Sequence, residues 1–378
     1  MANSKKQIMK KRLVFIDVMR GIAVLWMIET HVLNVFFASS LKHGAIYTLL
    51  GISNGFVAVA FIFCAGTGFW LAAMKKKDDY KHFNKPLFDY LRHLFFILII
   101  AYLLHLPSQS FGGLFALPSS SWIVFFENDI LQCIVYTSLF SLLVLMLMPK
   151  FHYLPWIFVF LTLFVFFASP FILSWDAMQV LPPFIGALFT GLPVSKFPMT
   201  PWSGYFFAGI ATTTFFMNSE NKHKIAWLYF AGGLALSFYF QYSKSWGVCY
   251  PEITNWWYGS PGHSAFRLSG TIVVFGLLFL LEKYLKKTSV GKMLQLSGQE
   301  SLFLYVSHLL LVYNSSNLGI NNFIGTGFGY LDTFLIFAGI TLLCYFIAFH
   351  WHKLKIADLK KARLVIALSG LLLTIFYF

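Results

Sequence analysis

Charge is what this sequence has least of. Asp, Glu, Lys and Arg make up only 11% of its 378 residues, while 58% are hydrophobic and the mean hydropathy is +0.71. Soluble domains carry about 25% charged residues to keep their surfaces wet, so a water-soluble globular chain is excluded. Cysteine is scarce as well. Cys64, Cys133, Cys249 and Cys344 lie far apart, without the close pairs that hold metals or exchange disulfides. Cys64, Cys133 and Cys344 fall in apolar runs and read as small apolar residues. There is no GxSxG elbow, no Walker A loop and no HExxH pair, which removes the usual support for serine hydrolysis, nucleotide hydrolysis and zinc proteolysis. No stretch repeats, in parallel or inverted order. Secondary transporters commonly set two broken helices across such a repeat, so its absence weighs against a carrier.

What is there is about eleven apolar runs, near 13–37, 51–74, 88–105, 125–148, 154–173, 201–217, 225–242, 267–285, 299–315, 331–350 and 362–377. About 20 apolar residues, rising about 1.5 Å each, cross the roughly 30 Å of bilayer hydrocarbon. The expected fold class is all-α, a polytopic membrane helix bundle of about 11 transmembrane helices. The first run is too long, and too charged at its centre, for a cleaved signal peptide, and is expected to stay in the mature chain. The formal net charge of +14 follows from position. With the N-terminus in the cytoplasm, about 23 Lys and Arg fall in inner connections, and only Lys42, Lys196, Lys244 and Arg267 in outer ones. That is the positive-inside pattern. Its expected partners are anionic membrane lipids, and nucleic acid is not among them.

The first run, 13–37, breaks the rule that membrane helices avoid charge. It holds Asp17, Arg20, Glu29, His31 and Asn34, and an ionisable group at bilayer depth costs roughly 2.5–3.5 kcal/mol on insertion scales. At 100° per residue, Asp17, Arg20, Met27, His31 and Asn34 share a sector about 100° wide, with Glu29 on the far side. Arg20 and His31 are eleven residues apart, almost three turns, so one face carries both about 16 Å from each other. Two readings are open. Asp17 and Arg20 can neutralise each other as an (i, i+3) pair with His31 a satisfied interfacial residue, or the stripe lines a wet site.

Other residues stand out less. Gly66 and Gly68 allow close helix approach, and the second run is expected to pack on the polar stripe. The 75–85 loop KKKDDYKHFNK is a solvated inner charge run that could also draw a cofactor's phosphates. Asp129 opens the fourth run as a helix cap, or orients an imidazole from the first. Trp202 sits at an outer interface. Arg267 runs against the inside bias. The outer loop 243–266, with Glu252, Trp256, Trp257, Tyr258 and His263, has the aromatic platforms and polar rim that hold sugars. His308 lies within the ninth run on the same face as Tyr305.

FIDVMRGIAVLWMIETHVLN resembles the opening of the bacterial heparan-α-glucosaminide N-acetyltransferase-like membrane proteins, within the wider transmembrane acyltransferase superfamily. NDILQCIVYTSLF (128–140), FPMTPWSGYFFAGI (197–210) and SLFLYVSHLLLVYN (301–314) resemble later blocks of that family, in the same order. The resemblance implies an acetyl-CoA-dependent acyltransferase of the bacterial inner membrane. Its donor would be cytoplasmic acetyl-CoA, its acceptor an extracytoplasmic glycan or amino sugar, and no metal would take part. It implies His31 and Asp129 as catalytic residues, Arg20 and Asp17 at the donor, and Trp202 and His308 lining the acceptor side, a lining that Asn34 on the polar stripe and Arg267 against the inside bias join by position. In lysosomal members the catalytic histidine is placed in the loop after the first helix, and LKHGA presents His43 there. The bilayer cost of an intramembrane imidazole favours His31. The expected organisation is a basic tail at 1–12, an acyltransferase core at 13–315 and C-terminal transmembrane helices at 316–378. A homodimer is compatible with it. The alternative is a proton-coupled transporter or a lipid or glycan flippase, with Asp17, Arg20, Glu29 and His31 as a proton relay.

Overall fold

The structure is a computed structural model and describes residues 13–108, 110–148, 151–243, 257, 259–313 and 319–377; the tail 1–12 and Glu252, Trp256 and Tyr258 of the outer loop lie outside them. Over the described residues each of the eleven apolar runs contains a helix. In chain order the main helices are α1 Val14–Phe36, α2 Val57–Lys81, α3 Lys85–Leu103, α4 Ile130–Leu147, α5 Leu154–Ser174, α6 Met199–Asn218, α7 Lys222–Ser243, α8 Pro261–Leu285, α9 Ser289–Gln299, α10 Ser301–Val312, α11 Tyr330–Ala357 and α12 Leu359–Tyr377. Among the described residues no strand forms, and Phe37 and Phe328 meet in an isolated bridge. By length and hydropathy six stretches qualify to cross a membrane: Gly44–Lys81, Lys85–Leu103, Ile130–Leu147, Leu154–Ser174, Pro261–Leu285 and Tyr330–Ala357. The chain is an all-α polytopic membrane protein.

The ninth run departs from expectation. Helix starts at Ser289, ten residues before the apolar run at 299, and breaks once, where Glu300 takes φ −104° and ψ 24°. The extra turns are polar enough to look like a loop. Their order comes from packing.

Two compact units divide the chain. The first comprises Val59–His105 and Ile123–Leu281. Its central helix is α6, almost wholly buried from Thr200 to Thr214. Two glycines let α2 and α6 cross at backbone distance: a Cβ on Gly66 would overlap the Phe206 carbonyl, and one on Gly209 the Phe63 carbonyl. Gly66 thus abuts α6, where the sequence suggests the polar stripe of α1 as its partner. Polar groups in this crossing are paired, as burial demands: Thr67 Oγ1 donates to Gly209 O (3.4 Å), and Thr213 Oγ1 to Thr67 Oγ1 (2.9 Å).

The second unit comprises Val14–Ala58, Leu106–Trp122 and Glu282–Phe378, and α1 is its axis. A reciprocal glycine crossing joins α1 to α9. A Cβ on Gly21 would overlap the Leu294 carbonyl, and one on Gly298 the Asp17 carbonyl. Both ends of α1 are satisfied. Glu282 Oε1 accepts from the N–H groups of Val14 (2.9 Å) and Phe15 (3.3 Å), placing a carboxylate where the helix dipole favours it. At the other end Phe36 O accepts from Gly327 N (2.9 Å) and Phe328 N (2.8 Å). Gly327 reaches this position with φ +94°, a conformation that glycine adopts without strain. Buried Glu300, at the break, takes two partners from α11: His352 Nδ1 and Lys355 Nζ, each at 2.6 Å.

Candidate active site

In the second unit the stripe of α1 leads to an imidazole pair. His31 and His308, from α1 and α10, have ring centroids 5.2 Å apart at an interplanar angle of 37°. Just past the end of α10, Tyr313 brings its hydroxyl to 2.7 Å from His31 Nδ1, with its ring edge-on to the imidazole. Tyr305 packs against His308 one turn back, centroids 5.7 Å apart. His31 is half-buried, His308 fully buried.

The protonation of His308 can be read from its partner. Its Nδ1 lies 2.7 Å from Leu304 O, and a carbonyl can only accept, so Nδ1 carries the hydrogen. In the neutral ring the lone pair is therefore on Nε2. That atom is buried and has no hydrogen-bond partner among the described residues.

Asp17 is buried on the stripe and Arg20 half-buried one turn on. The remaining two candidates of this unit lie outside the cluster. Asn34 is exposed, and its backbone carbonyl accepts from Lys42 Nζ at 3.2 Å. His43 is exposed at the N-cap of the short helix Gly44–Asn54, with no side-chain capping bond.

The first unit brings together the other expected residues. Arg267, near the start of α8, lies over the Trp202 ring of α6, 5.8 Å from its centroid. Phe197 and Tyr205 pack on the same indole at 4.6 and 5.8 Å. Trp202 and Arg267 thus share one aromatic and cationic patch.

Asp129 does two things. It caps α4, accepting from Ile130 N at 2.7 Å, and its Oδ2 lies 3.3 Å from Nε2 of His105. His105 follows the end of α3, where its Nδ1 donates to Ala101 O (2.8 Å), and Glu127 Oε2 stands 3.9 Å from the same Nε2. Lys196 pairs with Glu127 at 3.1 Å, while Asn128 binds Ser195 Oγ through its N–H (2.9 Å) and Phe197 O through Nδ2 (2.6 Å). Burial disfavours the His105 imidazolium, but the hydrogen bond and charge of Asp129, helped by Ala101 O and Glu127, prevail and raise its pKa. Burial likewise opposes ionisation of Asp129, and His105 and Lys196 overcome it, lowering that pKa. The result is a closed ion-pair network.

Tyr313, His105 and Glu300 escape a reading of the sequence. Tyr313 lies five residues after His308 in the quoted SLFLYVSHLLLVYN block, and the available signal was a hydroxyl close to an intramembrane imidazole. For His105 it was a histidine at a run's outer end, with Glu127 and Asp129 opening the next. For Glu300 it was an acid at the edge of an apolar run. Among the described residues no three His, Cys, Asp or Glu side chains converge as metal ligands.

A family model described as heparan-alpha-glucosaminide N-acetyltransferase, catalytic, matches residues 12–243. The match includes Asp17, Arg20, His31, Asp129 and Trp202, and ends before Arg267, His308 and Tyr313. No individual curated protein matches the chain.

Proposed function

The chain belongs to the heparan-alpha-glucosaminide N-acetyltransferase catalytic family, and from that premise we propose that it carries an acetyl group from cytoplasmic acetyl-CoA to an extracytoplasmic amino sugar or glycan. The observation that carries this reading is the His31 imidazole, held by Tyr313 and facing His308. Acyl transfer from a thioester needs a base for the acceptor's proton, or a nucleophile to hold the acyl group. Imidazole serves either need near neutral pH. Arg20 stands about 16 Å away along α1, a span comparable to a pantetheine arm, and would meet the donor with Asp17 behind it. Within the first unit the Trp202 and Arg267 patch has a stacking face and a cation of the kind that sugars bind. The excess of Lys and Arg in alternate connections supports a cytoplasmic N-terminus beside anionic lipids, and the reading places the protein in the bacterial inner membrane. A homodimer would leave these roles unchanged.

The test supplies labelled acetyl-CoA to one face of vesicles holding the purified protein, with amino sugars on the other. His31→Gln should lower turnover by about 100-fold or more while acetyl-CoA still binds. Transfer at the parental rate would remove His31 from the chemistry. Cargo that crosses unacetylated, driven by a proton gradient, would make the protein a carrier instead.

A further inference from the structure

An imidazole with one nitrogen satisfied and the other buried and unused asks for an explanation, because buried polar atoms in native proteins are overwhelmingly paired. His308 is such a group. Its Nδ1–H is fixed on Leu304 O at 2.7 Å. Its Nε2 lone pair has no partner among the described residues, and the neighbouring ring is His31, at 5.2 Å between centroids. Leu304 O settles the tautomer and orientation from within the same helix, one turn back. What remains is a pre-oriented base.

We propose that His308 is a further proton-accepting residue of the transfer, the group that takes up the acceptor's proton in passing. This rests on the acetyltransferase reading above and deepens it. The assignment holds for either part that His31 plays. If His31 carries the acyl group, it cannot also take the proton, and Nε2 of His308 receives it from the acceptor. If His31 takes the proton first, its imidazolium passes it to Nε2. In the first case the carbon–sulfur bond of the thioester breaks as the bond from His31 to the acetyl carbon forms, and that bond breaks in turn as the acceptor loses its N–H or O–H hydrogen and bonds the acetyl carbon; in the second the acceptor bonds the acetyl carbon directly as its N–H or O–H bond and the carbon–sulfur bond break. His308 then gives the proton to the thiolate formed from the donor, so protons and electrons balance without a further reactant. Tyr313, bonded to Nδ1 of His31, is the positioning residue that keeps the second imidazole turned to this task.

The decisive variant is His308→Asn. Its amide N–H can still donate to Leu304 O, which preserves the local fold, but an amide oxygen is no base. Turnover in the vesicle assay should fall about 100-fold, with acetyl-CoA affinity and thermal midpoint near parental values. His308→Ala provides the second measurement. Added imidazoles of graded basicity should restore part of its rate, more so as their basicity rises, which a purely structural residue would not show. Parental turnover in His308→Asn overturns the proposal, and so does a His308→Ala defect that no imidazole relieves. A parental protein that transfers no acetyl group to any amino sugar overturns the acetyltransferase reading and this inference together, whereas parental transfer with an unaffected His308→Asn overturns this inference alone.

Discussion

Two histidine clusters in this protein use the same side chain in opposite ways. In the first unit His105 has both ring nitrogens engaged, Nδ1 on Ala101 O and Nε2 facing Asp129 and Glu127. Two neighbouring carboxylates, with Ala101 O on Nδ1, favour its imidazolium form. In the second unit His31 meets a hydroxyl, and His308 meets a carbonyl with Nε2 left over. A lone pair without an assigned partner is available for chemistry; a proton between two carboxylates is not. The environment, more than the residue type, separates a held cation from an imidazole with a free lone pair.

The comparison breaks most directly when the same substitution is made in both places. His31→Gln should abolish most turnover with little loss of stability. His105→Gln should do the reverse, because removing one partner of a largely buried ion pair leaves carboxylates uncompensated, at a cost of about 3 kcal/mol. Thermal midpoints and turnover measured side by side would reveal the exchange. If His105→Gln lost activity and kept its midpoint, the clamp would have to be counted as part of the active site.

The pH dependence sharpens the same contrast. The raised His105 pKa contributes stability that is fully present below its ordinary value of 6.5 and is lost as pH rises through the folded value. The lowered Asp129 pKa contributes stability present above its ordinary 3.8 and lost as pH falls through the folded value. The difference in thermal midpoint between parental protein and His105→Gln should therefore stay level between 3.8 and 6.5 and shrink beyond both ends. A difference that varied inside that interval would mean that the pair is not what holds the segment.

Much of this was legible before any coordinates. Hydropathy places a helix in each of the eleven runs because apolar composition is a coarse signal, although six stretches among the described residues meet the length and hydropathy of a membrane span. It misses α9, whose Ser289, Gly291, Lys292 and Gln295 look like a connection and become helix only by crossing α1 at Gly298 and Gly21. His31 and His308 are legible because an imidazole at such depth needs a reason. Tyr313 is not, since only tertiary packing brings its hydroxyl to His31. The imidazole beside Asp129 is likewise hidden, because His105 reaches it across more than twenty residues of intervening chain.

The glycine crossing gives an intermediate effect. Gly298→Ala would push a methyl group into the Asp17 carbonyl, and backbone cannot swing aside as a side-chain tip can. Overpacking of this kind costs about 1–3 kcal/mol, and it would shift α9 against the helix that carries Arg20 and His31. Lower stability with reduced turnover is expected, whereas Gly339→Ala, where no atom lies within 4 Å of the added carbon, should leave both unchanged. Equal behaviour of the two variants would show that the α1–α9 contact is not tight.

The smallest effect is expected at His43. Its side chain is exposed and makes no capping bond to the helix that follows it, so His43→Gln removes neither packing nor a buried partner. Substitutions at such positions usually fall within about 0.5 kcal/mol, and turnover should stay within a few-fold of the parental rate. The position still carries weight, because LKHGA is where a loop-borne catalytic histidine would stand. If the reacting imidazole sat there, His43→Gln would cost about 100-fold and His31→Gln far less. The two variants, measured in one vesicle preparation with acetyl-CoA saturating, therefore divide the protein's chemistry between an exposed loop and the His31–His308 pair. Loss of transfer at His43 alone would move the reaction out of the helix bundle, and Nε2 of His308, without a hydrogen-bond partner among the described residues, would need another explanation.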